Sequence, residues 1–435
     1  MEKQGHMNLS TQPYKGTRDF YPQDMRFRRW MFGRMREVAH LYGYGEYDGP
    51  MLEPFELYAA KTGEEIVGQQ LYWLMDRGER KMAVRPEMTP TLARMVAAKV
   101  HELPKPVRLF SIPNLWRYER PQRGRLREHW QLNVDVLGGD ALLADAEILS
   151  VALDLVRAFG GEKFVSIRVN NRRLMDHFFA STLGLPADVM LKVTKAIDAR
   201  AKIGEEAYGA WLGELGINES QKSRMEDFFK APFDDTARAM PCAGADELKR
   251  LFELMRESPA GAGQVVFDPA VMRGLDYYTG TVFEMYDTSP ENRRAMFGGG
   301  RYDNLVGMFG NSKLAGVGFG MGDVTMQNFL ETHGLVPAFG HMVDVFVTLP
   351  AAGARPTAEK IARDLRAAGL SVMTPLEVSG FGTQLKSASK HGARFAVLLG
   401  EKELASGAVA VKDLASGKQE EVVLAALAPW FAKRK

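Results

Sequence analysis

The sequence predicts a mixed α/β protein with a large part built around antiparallel strands and a smaller α/β part at its C-terminal end. Three observations lead to this prediction. Two strand-like segments flank an arginine-rich loop within residues 107–137, residues 170–262 read as almost wholly helical, and strands alternate with helices beyond residue 342. Because one domain usually holds about 100–200 residues, a chain of 435 residues is expected to form about two to four domains.

The composition is typical of a folded globular protein and excludes some kinds of site. Hydrophobic residues make up 46% of the chain and charged residues 25%, as in folded globular proteins. An apolar run of membrane-spanning length and an apolar leader are both missing, which predicts a cytoplasmic protein without a membrane partner. Cys242 is the single cysteine, so an intramolecular disulfide and a cysteine-based zinc cluster are excluded. The net charge of +2 neither implies nor excludes a nucleic-acid partner.

The first elements follow from helical spacing and proline. Residues 1–12 are predicted to be a flexible leader, and the Gly-His-Met run in residues 1–7 resembles a cloning remnant. Asp19 is predicted to cap a helix over residues 25–41, where apolar residues recur at helical spacing. Residues 46–52 are predicted to form an edge strand, because Pro50 cannot donate to a central ladder.

A hairpin over residues 71–75 and 81–84 leads into a short polar turn and then a helix that extends to residue 100. Glu87 and Thr89 lie at this strand-to-helix turn, which is a usual position for ligand-facing polar groups. A helix cap with an acidic first turn explains the same two residues equally well, so both interpretations remain open.

Residues 107–112 and 128–137 are predicted to form an antiparallel pair around a basic loop. Gln131, Asn133 and Asp135 share one face of the second strand, and buried polar groups need partners, so this face is predicted to line a pocket. The loop could grip a polyphosphate, although a solvated hairpin tip is the alternative. Its cationic side chains are Arg117, Arg120, Arg123, Arg125 and Arg127.

A helix is predicted over residues 140–159 and a strand over 164–169, followed by a helical insertion over about 171–262. Such an insertion either covers the site, contacts another molecule or only contributes packing. Residues 271–284 then place Arg273, Tyr277 and Tyr278 ahead of a strand at 281–284. This density of hydrogen-bonding groups indicates a binding-site wall, with an ordinary amphipathic strand as the alternative.

Two glycine-rich segments follow. Residues 296–305 place three glycines before Arg301 and Tyr302, which predicts either a close backbone approach to a ligand or a turn. Residues 315–322 alternate glycine with apolar residues, which predicts a strand with one bare face over which a flat ring could lie. A helix is predicted at 323–331, and the segment carries no dinucleotide-binding fingerprint. Residues 333–341 are predicted to be a linker and residues 342–435 a separate α/β domain.

Together these motifs resemble the histidyl-tRNA synthetases, which are class II aminoacyl-tRNA synthetases. The helix and strand ending at Pro50 resemble motif 1, the dimer element. Trp116-Arg117-Tyr118-Glu119 through Gln131 resembles motif 2, and residues 315–322 resemble the glycine half of motif 3. The two blocks peculiar to the family are Arg273-Gly274-Leu275-Asp276-Tyr277-Tyr278 and Gly299-Gly300-Arg301-Tyr302-Asp303.

The resemblance implies an α+β catalytic domain on an antiparallel class II sheet over residues 13–332, an anticodon-binding domain over 342–435 and a homodimer. It implies activation of L-histidine with ATP and Mg²⁺, followed by transfer to the 3′ end of tRNA(His). Lys386 and Lys390 would then help the last domain to read the anticodon stem.

The resemblance also implies roles for individual residues, while it identifies no metal ligands. Glu87 and Thr89 would hold the α-ammonium group, and Asp135 and Tyr278 the two imidazole nitrogens. The whole histidine-binding set is Glu87, Thr89, Arg117, Gln131, Asp135, Arg273, Tyr277, Tyr278 and Tyr302. The ATP-binding set is Arg117, Glu119, Arg125, His129 and Arg301, and the catalytic set is Arg273, Arg117 and Gln131.

Two departures from the family pattern bear on these roles. Asp135 stands where the family usually has glutamate, so the pocket must close slightly or use a water. Thr325 stands where motif 3 usually has an arginine for the γ-phosphate, and a threonine cannot supply that charge. Arg125, Arg301 or another cation would have to replace it, or ATP binding would be impaired.

Two other functions fit parts of the pattern. One is the catalytically silent relative that senses histidine as a regulatory subunit of ATP phosphoribosyltransferase. That relative tends to lack the arginine block and the C-terminal domain, and this chain has both. The other is a synthetase-like module that binds uncharged tRNA for signalling, which no fused segment of the chain supports.

Overall fold

The computed structural model describes residues 9–59, 66–258, 261, 263–273, 277–292, 294–310, 312–400, 403 and 406–434. The chain forms two compact units, Met1–Val336 and Pro337–Lys435. Residues 1–8 of the predicted leader, with the Gly-His-Met run, lie outside the described residues, as do residues 274–276 of the predicted arginine block. No helix within the described ranges is long and apolar enough to cross a membrane.

A large sheet forms the centre of the first unit, which confirms the mixed α/β fold class. Its strand order is β1-β5-β7-β12-β11-β10-β8-β9, with β6 paired to β7, and a small sheet of order β2-β4-β3 lies apart from it. The pairs β5–β7, β7–β12, β12–β11, β11–β10 and β10–β8 are all antiparallel. The strands of this unit are β1 (Gly45–Glu46), β2 (Leu52–Pro54), β3 (Trp73–Met75), β4 (Lys81–Val84), β5 (Val107–Ser111), β6 (Asn114–Trp116), β7 (Glu128–Leu137), β8 (Val165–Asn171), β9 (Val265–Phe267), β10 (Thr281–Asp287), β11 (Ala295–Tyr302) and β12 (Gly316–Gly322).

Helices pack around this sheet: α1 (Pro22–Leu41), α2 (Phe55–Ala59), α3 (Thr89–Ala98), α4 (Ala141–Arg157) and, at the end of the unit, Asp323–Thr332. The predicted Asp19 cap is wrong, because the first helix begins at Pro22 and the Asp24 carboxylate accepts from the Tyr21 amide at 2.9 Å. Asp140 does cap α4, accepting from the Leu143 amide at 3.0 Å. Both helices bury an apolar stripe in the main core, as their helical spacing predicts.

The helical insertion is present and packs on the same hydrophobic core as the sheet. Its helices are α5 (Arg172–His177), α6 (Ala187–Ile203), α7 (Glu205–Glu214), α8 (Glu219–Lys230), α9 (Phe233–Ala239) and α10 (Ala243–Glu257), and the helix Asp323–Thr332 is α11. Phe178 and Phe228 stack with ring centroids 4.1 Å apart, which ties α8 to the segment that follows α5. Because the insertion shares the core, its position over the sheet is set by packing.

The second unit is a five-stranded sheet of order β14-β13-β15-β16-β17 with helices against it. β13 pairs in parallel with β14 and β15, as strands joined through helices do, whereas β16 and β17 extend the sheet antiparallel. The elements are β13 (Val343–Val347), α12 (Arg355–Ala367), β14 (Val372–Met373), α13 (Phe381–Lys390), β15 (Ala393–Leu398), β16 (Ala408–Asp413), β17 (Gln419–Val423) and the C-terminal helix Leu427–Ala432. Lys386 and Lys390 are both exposed on α13.

Candidate active site

A large cleft of about 1740 Å³ opens over the face of the central sheet formed by β7, β10, β11 and β12. Its walls come from the strand-to-helix turn at Glu87, from the basic loop after Arg117 and from helix α6 of the insertion. The cleft therefore draws on segments that are far apart in the sequence. The predicted histidine-binding residues Glu87, Thr89, Arg117, Gln131, Asp135, Arg273, Tyr277, Tyr278 and Tyr302 all line it.

The floor of the cleft is bare main chain, because β11 and β12 present glycines to it. Gly298 pairs with Gly320 and Gly300 with Gly318 across the two strands. A Cβ atom at Gly318 would collide with the Asp135 carboxylate, and one at Gly320 would lie 2.7 Å from the Gln131 side chain. The predicted bare face is therefore real, and it makes room for the polar side chains of β7. The three glycines before Arg301 lie in strand β11 and not in a turn.

Two buried carboxylates mark one end of the cleft. Asp135 accepts a hydrogen bond from the Tyr302 hydroxyl at 2.6 Å, and Glu87 accepts one from the Tyr277 hydroxyl at 2.9 Å. The rings of Tyr277 and Tyr302 meet edge to face at 6.0 Å, so the two carboxylates share one aromatic wall. Burial raises the pKa of Asp135 to about 7, and the Tyr302 hydrogen bond offsets part of that rise.

Arg273 also lines the cleft, next to Glu284. Its guanidinium donates to Glu284 Oε1 at 2.9 Å and to the Gly298 carbonyl at 3.3 Å, while its Nε has no hydrogen-bond partner among the described atoms. The Tyr286 hydroxyl donates to the other Glu284 oxygen at 2.6 Å. Arg273 has a φ of 58°, a left-handed conformation that costs a non-glycine residue about 1 kcal/mol. The fold thus holds this arginine in place against a local backbone cost.

A cationic region of the cleft begins beside Glu87 and continues along the basic loop. Arg117 donates through Nε to the Pro86 carbonyl at 2.8 Å, which fixes its guanidinium beside the Glu87 turn. Arg125 forms an ion pair with Glu119 at 3.2 Å. His129 is partly buried near both arginines, and desolvation followed by the positive charge of Arg117 lowers the pKa of its imidazole to about 3. The imidazole is therefore neutral at physiological pH and can lie against an aromatic base.

Arg301 does not reach the cleft, which corrects its predicted role in ATP binding. Side chains alternate across a strand, so Tyr302 faces the cleft and Arg301 points to the opposite face of the sheet. There the Arg301 guanidinium is 5% exposed and donates to Asp145 Oδ1 and to the Ala141 carbonyl, each at 2.5 Å. This buried ion pair connects β11 to α4 and has a structural role.

Several residues that line the cleft were not predicted from any sequence pattern. Helix α6 of the insertion contributes Leu191, Thr194 and Asp198, and the loop between β10 and β11 contributes Arg294. The insertion was predicted to cover the site, to contact another molecule or only to pack, and covering the cleft is what the structure favours. Which face of α6 turns toward the cleft depends on tertiary packing, so helical periodicity alone could not identify these residues.

The described residues contain no group of three or more histidine, cysteine or acidic side chains that could hold a metal ion. Glu119 and Glu284 nevertheless present carboxylate oxygens to the cleft. Mg²⁺ selects oxygen ligands and is usually held by one or two carboxylates together with substrate phosphates. The donor chemistry of the cleft therefore fits a magnesium ion that arrives with a nucleotide.

Comparisons with known proteins agree with this geometry. The family model described as histidyl-tRNA synthetase matches residues 16–323, and the model described as anticodon binding domain matches residues 344–434. The histidine–tRNA ligase of Leptospira biflexa is 46% identical over 416 residues, covering 94% of this chain and 95% of the relative. The histidine–tRNA ligase of Haloarcula marismortui is 38% identical over 421 residues, covering 95% of each chain. The crystal structure of histidyl-tRNA synthetase from Nostoc sp. PCC 7120 superposes with a TM-score of 0.80 at 29% identity, covering 98% of this chain and all of the other.

Proposed function

The chain belongs to the histidyl-tRNA synthetase family, and we propose how its cleft activates L-histidine with ATP and transfers it to the 3′ end of tRNA(His). The observation that supports the role of each residue is the distribution of charge along the cleft. The buried carboxylates suit an amino acid, and the arginines that begin beside Glu87 and continue along the basic loop suit a polyphosphate. Arg273 lies where the two substrates would meet.

Histidine is recognised through its imidazole ring. Asp135 accepts from one ring N–H, the Tyr278 hydroxyl contacts the other nitrogen, and Tyr302 holds the Asp135 carboxylate in place. A side chain without a ring N–H would leave the second Asp135 carboxylate oxygen buried without a donor. Because an unsatisfied buried group costs about 1–3 kcal/mol, this arrangement discriminates strongly against other amino acids.

The remaining polar groups align histidine for attack. Glu87 and Thr89 hold the α-ammonium group, and Gln131 and Arg273 face the α-carboxylate and the α-phosphate. In-line attack brings two anions together, so the reaction needs neutralised charge and alignment and no general base. Arg273 supplies part of that charge by exchanging its ion pair with Glu284 for contacts to the substrates.

ATP lies along the cationic region of the cleft that the basic loop lines. Arg117 binds the α-phosphate, Arg125 binds the outer phosphates and the neutral His129 ring lies against adenine. Glu119 and Glu284 are the carboxylates that would hold Mg²⁺, which adds charge neutralisation to the phosphates when it is bound. Arg301 has no part in this set.

Beyond the cleft, we propose a catalytic domain over residues 13–332, a linker over 333–341 and an anticodon-binding domain over 342–435. The division of the chain between Val336 and Pro337 supports these limits. Lys386 and Lys390 lie exposed on α13, where they can contact the phosphates of the anticodon stem.

We propose a homodimer in the cytoplasm. The small sheet supports the dimer, because its apolar side chains are exposed to an extent unusual for a monomer, with Trp73 at 55% and Met75 at 52%. Met51, Leu52 and Leu74 extend the same exposed set.

The test is histidine-dependent exchange of pyrophosphate into ATP by the purified chain with Mg²⁺ and without tRNA. Exchange specific to histidine is expected, and Arg273→Ala should abolish it with an unchanged circular dichroism spectrum. Arg250→Ala is the matched control, because Arg250 is exposed on α10 and does not line the cleft. Histidine binding by calorimetry without any exchange would favour the regulatory-subunit function instead.

A further inference from the structure

The wall of the cleft formed by α11 carries no cation, although a triphosphate needs positive charge along its whole length. Its lining residues are Val324, Thr325 and Asn328, which are all neutral. We propose that Arg123 and Arg294, which reach this wall from two different loops, hold the terminal phosphate of ATP. This inference rests on the proposed function, because it assumes that ATP occupies the cleft.

The basic loop lies directly on α11 at this wall. A Cβ atom built on Gly124 would lie 3.3 Å from Thr325 Cγ2 and 3.9 Å from Asn328 Nδ2, so the loop backbone occupies the space above the first turns of the helix. Thr325 donates its hydroxyl to the Gly322 carbonyl at 3.0 Å. A longer side chain at position 325 would therefore have to displace the loop. Charge at this wall therefore has to come from the loops around it.

Arg123 is the first cation that the loop brings there. Its guanidinium donates to Asn292 Oδ1 at 3.2 Å and to Thr332 Oγ1 at 3.3 Å, and Glu291 lies at the longer distance of 3.8 Å. The Arg123 side chain is 58% exposed, so its contact with Glu291 is screened by solvent and contributes little. A phosphate oxygen can compete for this guanidinium without breaking a buried interaction.

Arg294 is the second cation, and it comes from the loop between β10 and β11. Its guanidinium donates to Gln122 Oε1 at 3.1 Å, a neutral acceptor in the basic loop. Within the described part of the chain, no carboxylate forms an ion pair with Arg294. Its charge is therefore available to a ligand, and the Gln122 contact keeps it beside Arg123.

Arg117 and Arg125 precede Arg123 and Arg294 along the proposed path of the phosphates. Arg117 is anchored on Pro86 beside the histidine end, and Arg125 is paired with Glu119. A phosphate chain that begins at Arg117 and passes Arg125 continues along the loop toward Gly124 and α11, where Arg123 and Arg294 lie. Two arginines at this point supply the forked donors that phosphate oxygens favour.

The proposal predicts a preference for ATP over ADP that depends on these two side chains. Calorimetry with magnesium nucleotides should show tighter binding of ATP than of ADP by the wild-type chain. Because a hydrogen bond to a charged group typically changes affinity by about 10- to 100-fold, Arg123→Ala and Arg294→Ala should each reduce the ATP-to-ADP preference by at least about 10-fold. The double variant should bind the two nucleotides equally.

Arg120→Ala is the matched control, since it removes the same charge from an exposed position of the same loop that does not line the cleft. Its preference for ATP should remain that of the wild type. Retention of the preference in the double variant, or its absence from the wild-type chain, would overturn the proposal. Failure of the proposed function itself is a separate result, namely no histidine-dependent exchange by the wild-type chain at saturating ATP.

Discussion

Removing one hydroxyl behind the imidazole pocket should shift the pH dependence of histidine binding. Tyr302→Phe deletes the hydrogen bond of 2.6 Å that the phenol donates to Asp135, while the ring that lines the pocket remains. A hydrogen bond to a charged group is worth about 1.5–3 kcal/mol, and one pKa unit corresponds to about 1.4 kcal/mol. The pKa of Asp135, already raised by burial to about 7, should therefore rise by a further one to two units.

The direction of the pH effect on the KM for histidine follows from the charge state of Asp135 that binds histidine. In the proposed complex, Asp135 would accept the imidazole N–H best when it is ionised, which requires a pH above its pKa. In the wild-type chain the KM for histidine in pyrophosphate exchange should increase as the pH falls below about 7. In Tyr302→Phe the same increase should begin about one to two pH units higher, so the variant should be impaired at pH 7.5 and recover near pH 9.

The assay is the KM for histidine from pH 6 to 9.5, with the KM for ATP measured in parallel. Taking the ratio of variant to wild type at each pH cancels the titration of free histidine itself. Tyr58→Phe serves as the control, because Tyr58 is a buried tyrosine whose hydroxyl lies 3.2 Å from that of Thr91, outside the cleft lining. A uniform increase in KM at all pH values, with no displacement of the profile, would refute the reasoning.

Three further predictions concern stability and shape. Because the folded pKa of Asp135 lies above its value in the unfolded chain, its ionisation costs about 4 kcal/mol of stability, which is lost as the pH rises from about 4 through 7. Asp135→Asn should therefore raise the melting temperature relative to wild type at pH 8 and not at pH 4, while it weakens histidine binding; an equal change at both pH values would count against this account. Arg301→Ala should cost about 3–5 kcal/mol in urea unfolding by leaving Asp145 buried without its partner, and a raised KM for ATP in the folded variant would show that Arg301 has a direct role after all. Gly318→Ala should abolish histidine binding in calorimetry because its methyl group collides with Asp135, and normal binding would mean that the strand can shift.

The elements that the sequence predicted well are those with strong periodicity or proline and glycine boundaries. The helix over 25–41, the hairpin at 71–84 and the strand at 128–137 all have counterparts in the structure, with ends displaced by a few residues. The error at the first helix has a local cause: the helix begins at Pro22, and Asp24 in its first turn accepts from the Tyr21 amide, so Asp19 lies outside the helix start. The local sequence pattern predicts whether a segment is a helix or a strand better than it predicts the residue at which that segment begins.

The residues of the cleft could be predicted from the sequence only in part. Arg301 and Tyr302 are adjacent in a strand, so alternation already implied that both could not face one pocket, and the sequence held the signal that excludes Arg301. The opposite holds for the α6 residues and for Arg294, whose approach to the cleft depends on how the insertion and the β10–β11 loop pack. Periodicity describes each element by itself, and a site formed between elements requires the tertiary structure.

The glycine floor of the cleft has a consequence for any attempt to change the substrate. Side chains that line a cleft can be shortened or lengthened by substitution, whereas the glycines of β11 and β12 present only main chain, at a strand spacing of about 4.8 Å that no mutation adjusts. Even a methyl group at Gly318 or Gly320 would fill the space above the floor, so substitution of these glycines can make the cleft smaller and never larger. Redesign for a bulkier amino acid must therefore act through the side chains around this floor, at Asp135 on the neighbouring strand and at the tyrosines beside it, and laboratory evolution of this cleft should accumulate its productive changes there.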